Sequence, residues 1–112
     1  MEFSQDQIDE LKRIAPNLCI TEERGIPYIL IKELQLPAGC QPAVVDALLC
    51  PLPRDGYESR LFFSQQITEI PQRNWNGKIR MLDRNWIAIS WKVQGGLRLV
   101  ETLMIHLNAL KK

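Results

Sequence analysis

Sulfur and imidazole are the side chains best able to attack an acyl group, hold a metal or move a proton, and this chain has few of them. Cysteines stand at 19, 40 and 50, and the single histidine is His106. These spacings contain no CxxC pair, and an odd count gives no complete disulfide framework. One histidine with scattered thiols does not make the four-ligand set of a structural zinc site, so no metal and no cofactor is expected. A thiol reacts as its thiolate, which needs a nearby cation or a helix N-terminus. Cys40, in the loop Ala38-Gly39-Cys40-Gln41-Pro42, is expected to be exposed. Cys50 follows Leu48-Leu49 and reads first as a small buried hydrophobe. These two are the possible reactive thiols, and Cys19, between Leu18 and Ile20, reads as structural. His106 lies near the end of an amphipathic segment with no recognisable nucleophile beside it, which makes it a poor general base.

A second constellation is basic and aromatic. From Glu69 to Arg98 the chain carries Arg73, Lys78, Arg80, Arg84, Lys92 and Arg98 against only Glu69 and Asp83, with Trp75, Trp86 and Trp91 interleaved. Cations with stacking aromatics suit single-stranded nucleic acid. Tryptophan and arginine also dominate protein interfaces. The plainer reading is that the tryptophans pin an irregular segment to the core while the arginines are solvated. With a whole-chain charge of +1 and no RNA-binding motif, nucleic acid is the lesser alternative to a protein partner.

The elements that must position these residues follow from pattern. Ser4 and Gln7 form a capping box, Phe3 and Ile8 a hydrophobic staple, and Ile8, Leu11, Ile14 and Ala15 one apolar stripe before Pro16, which predicts a first helix. Leu18 to Glu23 and Ile26 to Ile31, split by Arg24-Gly25, read as a hairpin. Ala43 to Cys50 fits a strand or a short helix, and Arg60 to Ser64 a strand. Pro71 to Val93 reads as irregular, with Asn76-Gly77 a turn signal and only Trp86 to Trp91 alternating like a strand. Leu97 to Leu110 predicts a helix buried through Val100, Leu103, Met104, Leu107 and Leu110. The plan is α+β: an N-terminal helix, a four-stranded antiparallel meander, an irregular segment and a C-terminal helix.

In that order, the residues from Tyr57 to Leu82 resemble the E2/UBC superfamily of ubiquitin-conjugating enzymes, most closely the prokaryotic E2 family E proteins. Pro53 and Tyr57 stand for the family's proline-and-tyrosine turn and Phe62-Phe63 for its strand ending in an aromatic. Ile67, Ile70-Pro71-Gln72 and Gly77-Lys78-Ile79-Arg80 stand for its Ile, His-Pro-Asn and Gly-x-Ile-Cys segments. The resemblance implies a UBC-like fold over the whole chain, a single domain spanning 1–112. It also implies degenerate active-site positions: Ile70 and Gln72 replace the histidine and asparagine, and Arg80 replaces the thioester cysteine. A guanidinium has no nucleophilic lone pair at any accessible pH. The function implied is a catalytically inactive E2-like module of a bacterial ubiquitin-like system. Its expected partners are a ubiquitin-like protein or a ubiquitin-activating-type enzyme, with a JAB-type metallopeptidase in the same pathway. Contact residues are expected at Trp75, Asn76, Arg80, Arg84 and Trp86. The alternative is an active conjugating enzyme using Cys40 or Cys50.

Length and composition set the frame for all of this. The chain has 112 residues, 46% of them apolar, which suits one core and one domain. Its apolar runs fall far short of the ~20 residues of a membrane span, and Met1 to Asp6 lack the basic and apolar zones of a leader, so a cytoplasmic protein without a membrane partner is expected.

Overall fold

Ser4 has an extended backbone and its hydroxyl accepts the Gln7 N–H at 3.2 Å, so helix α1 runs Gln5–Lys12 in this computed structural model. The structure describes residues 3–111; Met1 and Glu2, which open the stretch read for a leader, and Lys112 lie outside them. The Gln7 side chain does not turn back to close the box. Its Oε1 instead accepts the N–H of Leu99 at 2.8 Å, the first residue of helix α2 (Leu99–Asn108). Arg98 Nε, 2.9 Å from Glu10 Oε1, ties the same two helices together. Each of these contacts occupies a backbone donor or a charge at a helix start, and together they hold α1 beside α2. Both helices lie on one face of the sheet, where Leu11 and Leu103 pack with Ile29, Ile31, Leu49 and Phe63. The buried stripe of α2 is rotated from the expected one: Thr102 and His106 are buried, and Met104 faces outward.

The sheet has six strands: β1 (Leu18–Glu23), β2 (Ile26–Gln35), β3 (Val44–Cys50), β4 (Arg60–Phe63), β5 (Trp75–Met81) and β6 (Arg84–Ile89), in the order β1-β2-β3-β4-β6-β5, every pair antiparallel. This corrects the sequence expectation. The first four strands do run as a meander, but the chain then adds β6 to β4, with Phe62 opposite Ala88 and Phe63 opposite Ile87, and β5 beyond β6. The architecture is a six-stranded antiparallel sheet with two short helices and not a UBC-like fold. Most of the segment read as irregular is a hairpin.

Two local features concealed that hairpin. Asn76-Gly77 makes no turn; it lies inside β5, where a Cβ on residue 77 would sit 2.7 Å from Nη2 of the buried Arg60. The chain reverses instead at Leu82-Asp83, with φ of 54° and 59°, two left-handed residues of which neither is glycine or asparagine. That conformation costs an L-residue roughly 1–2 kcal/mol. Replacing the pair with Asn-Gly (Leu82→Asn with Asp83→Gly) is therefore expected to stabilise the protein by about 1 kcal/mol, read as a higher urea midpoint at unchanged slope.

Among the described residues no helix covers the other face of the sheet, yet Tyr28, Leu30, Leu48, Phe62 and Trp86 are buried there. The sheet curls to enclose them. The β1–β2 turn and β5 belong to opposite edges in strand order, but they line one shared cleft. Residues 51–57 close the remaining opening, with Leu52 packed on this second core and the Arg54 guanidinium 5.6 Å from the centre of the Phe62 ring.

Candidate functional site

Cys50 is buried as its first reading has it, while Cys40 and Cys19 lie against expectation. Cys40 is buried, its Sγ 3.9 Å from the Leu110 carbonyl, and Cys50 is buried with Sγ 3.7 Å from the Leu52 carbonyl. Burial pushes the Cys50 thiol up, away from the reactive thiolate. Cys19, read as structural, is the exposed one, on edge strand β1. Neither Cys40 nor Cys50 is placed to meet a macromolecular acyl donor.

His106 has a partner that the sequence did not reveal. Its Nε2 lies 2.8 Å from the hydroxyl oxygen of Ser59, a separation that suits a nucleophile and its base. The environment opposes that role. Ser59 and His106 are 4% and 5% exposed, and burial, with the charge of Arg60 added, lowers the imidazole to about 4. A base so weakened and so enclosed serves packing better than proton transfer. Arg60 is also buried: Nη2 donates to Asn76 Oδ1 at 3.1 Å and to the Ile89 carbonyl at 3.3 Å, and its guanidinium stacks 4.4 Å from the centre of the Tyr57 ring. The hydroxyls of Tyr57 and Ser90 are hydrogen-bonded to each other. A serine before a strand and a histidine 47 positions later carry no spacing signal, so no reading of the chain would have joined them.

The tryptophans are committed to structure. Trp86 is 1% exposed, its indole N–H donating to the Met81 carbonyl at 3.0 Å and Arg84 lying over its ring. Trp91 donates to the Ile105 carbonyl at 3.1 Å beneath Arg73, whose Nε reaches the Ala109 carbonyl at 2.7 Å. Trp75 packs edge-on against Phe63. The stacking platforms that suggested nucleic acid are thus occupied from within.

Of the expected contact residues, Asn76 serves Arg60 and Arg84 pairs with Asp46 at 2.8 Å. Asp46 also accepts the Glu33 N–H at 2.9 Å, and these contacts hold its carboxyl below the usual range. Ile70 packs against the helix-side core and Gln72 is exposed in the segment before β5. Arg80 is in regular strand opposite Asn85, donating to Asn85 Oδ1 at 3.1 Å and to the Asp83 carbonyl at 3.3 Å. Ile70 and Gln72 thus precede β5, while Arg80 lies within it.

Alternation along β5 sends Ile79 and Met81 into the second core and leaves Lys78 and Arg80 on the helix side, beyond the reach of either helix. There Lys78 stands opposite Ile87, and Ile87 opposite Phe63. An open depression of about 500 Å³ results, lined by Ser64, Lys78, Arg80, Asn85 and Ile87 with parts of Ile79 and Trp86. It holds two cations and no carboxylate. No known family model, curated protein or solved structure matches the chain. Among the described residues no cluster of His, Cys, Asp and Glu is arranged to hold a metal, and no helix is long and apolar enough to cross a membrane.

Proposed function

We propose that this domain is a non-catalytic protein-binding module that uses the helix-side face of the β5–β6 hairpin. The observation that carries the reading is the depression at Lys78, Arg80 and Ile87: two cations unopposed by a lining carboxylate beside a half-buried apolar side chain. Arginine around an apolar centre is the composition of an interface core, and unbalanced charge at its rim speeds encounter with a partner of opposite sign. A protein that presents an apolar residue ringed by acidic side chains fits this surface. The burial of Cys40 and Cys50 supports a binding role over thioester transfer. A ubiquitin-like protein, or the activating-type enzyme or JAB-type metallopeptidase of such a pathway, is the partner class that the family resemblance names, and it rests on that resemblance alone. The reading sets the module in the cytoplasm, where its three cysteines stay thiols.

Titration of the isotopically labelled chain with ubiquitin-like proteins tests both halves. Amide shifts are expected at Ser64 and along residues 78–87, and Arg80→Glu should weaken binding by about tenfold or more. Tight binding with shifts confined to other surfaces would refute the contact face. Failure of every ubiquitin-like protein to bind would refute that partner class.

A further inference from the structure

The mouth of the curled sheet contains an arrangement that neither the core nor the hairpin face explains. Two guanidinium groups from separate parts of the chain line one cleft of about 350 Å³, Arg24 from the β1–β2 turn and Arg54 from the loop after β3; Arg80 of β5 borders it, with its guanidinium turned to Asn85 on the helix side. Glu23 is the single carboxylate in the lining, and Tyr28 is the only phenol there.

Gathering like charges costs free energy unless counter-charges are present, and here they are sparse. Arg80 adds its charge only from the rim, since its guanidinium is held by the Asn85 side chain and the Asp83 carbonyl. Arg24 has no ion pair within 4 Å among the described residues, and it sits at φ 53°, a left-handed position that asparagine or glycine would fill with less strain. Arg54 Nε lies 3.4 Å from Asp55, a carboxylate shared with Arg60, but is buried without a hydrogen bond, while Nη1 donates to the Tyr28 hydroxyl. Burial raises the Tyr28 pKa, so the phenol keeps its proton. With its oxygen already accepting from Arg54, that O–H remains to be given to another acceptor. Ile79 and Met81 supply an apolar wall.

We infer that this cleft is a binding site for a small oxyanion, a carboxylate or phosphate carried on a compact apolar body. The anion sits between Arg24 and Arg54 and accepts the Tyr28 O–H, and its apolar part lies along Ile79 and Met81. Each contact is a charge-assisted or phenolic hydrogen bond in a partly desolvated cleft, where such bonds are strongest.

Inorganic phosphate and benzoate, titrated separately at constant ionic strength, distinguish the two sources of the charge. The Trp86 indole N–H resonance is the reporter, because its acceptor is the carbonyl of Met81 in the cleft wall. Saturable shifts with benzoate assign a carboxylate on an apolar body, and saturable shifts with phosphate assign a phosphate. Arg24→Asn suits the left-handed turn and should leave the thermal midpoint unchanged or raised, yet weaken binding by about tenfold; Tyr28→Phe should weaken it comparably. Neither residue lies on the hairpin face, so this test stands or falls independently of protein binding. The inference is overturned if neither probe saturates in the millimolar range, or if folded Arg24→Asn and Tyr28→Phe proteins bind as the parent does.

Discussion

Trp86→Ala is expected to cost about 3–5 kcal/mol, a large share of the ~5–15 kcal/mol that holds a domain of this size together. The magnitude follows from the curled sheet. No helix among the described residues backs the second core, so the space enclosed by β2, β3, β4, β6 and β5 is filled mainly by side chains of the sheet itself, and Trp86 is the largest of them. Truncation would leave a cavity between Leu48, Phe62 and Met81 and would orphan the Met81 carbonyl, which accepts the indole N–H. Trp86→Phe retains most of the apolar volume and loses mainly the hydrogen bond, so about 1–2 kcal/mol is expected. Urea unfolding monitored by circular dichroism measures both. A loss below about 1 kcal/mol for the alanine variant would show that the concave face is not a true core.

Acid should destabilise the protein before its carboxylates titrate. The His106 pKa falls from an ordinary 6.5 to about 4, first through burial and then through the charge of Arg60. Between those values the unfolded chain binds a proton that the folded chain does not. The stabilisation is therefore complete above about pH 6.5 and is lost as pH falls toward 4, by about 3 kcal/mol in all. Asp46 acts separately: its lowered carboxyl contributes stability that is lost only as pH falls below its ordinary value of 3.8. Urea midpoints for His106→Gln, which keeps a hydrogen-bonding group toward Ser59 but cannot titrate, should be nearly flat from pH 6.5 to 4. A slope there as steep as in the parent protein would place the acid sensitivity elsewhere.

Elements whose turns use conventional residues could be read from the chain. Arg24-Gly25 marked the first hairpin, and Ser4 with Pro16 bracketed the first helix. The second hairpin escaped because its left-handed turn is made by Leu82-Asp83, while the Asn-Gly pair that resembles a turn is an accommodation for Arg60 within β5. The expected irregular segment and the four-stranded meander failed with it. The candidate site was legible in part. The excess of arginine and lysine between Glu69 and Arg98 falls on the hairpin that carries the candidate face, but composition does not say that Trp86 faces inward or that Arg84 is spent on Asp46. The buried Ser59, Arg60 and His106 group lay beyond reach, since a charged residue opening a strand ordinarily reads as solvated.

The curl brings the two ends of the sheet near each other without joining them, so among the described residues β1 and β5 keep edges that no other strand pairs. Their charges are of opposite sign, Glu22 and Glu23 on β1 and Lys78 and Arg80 on β5. Two copies meeting through the same edge would bring charges of one sign into the new ladder. Such pairs are unfavourable, and each edge thereby resists its own image.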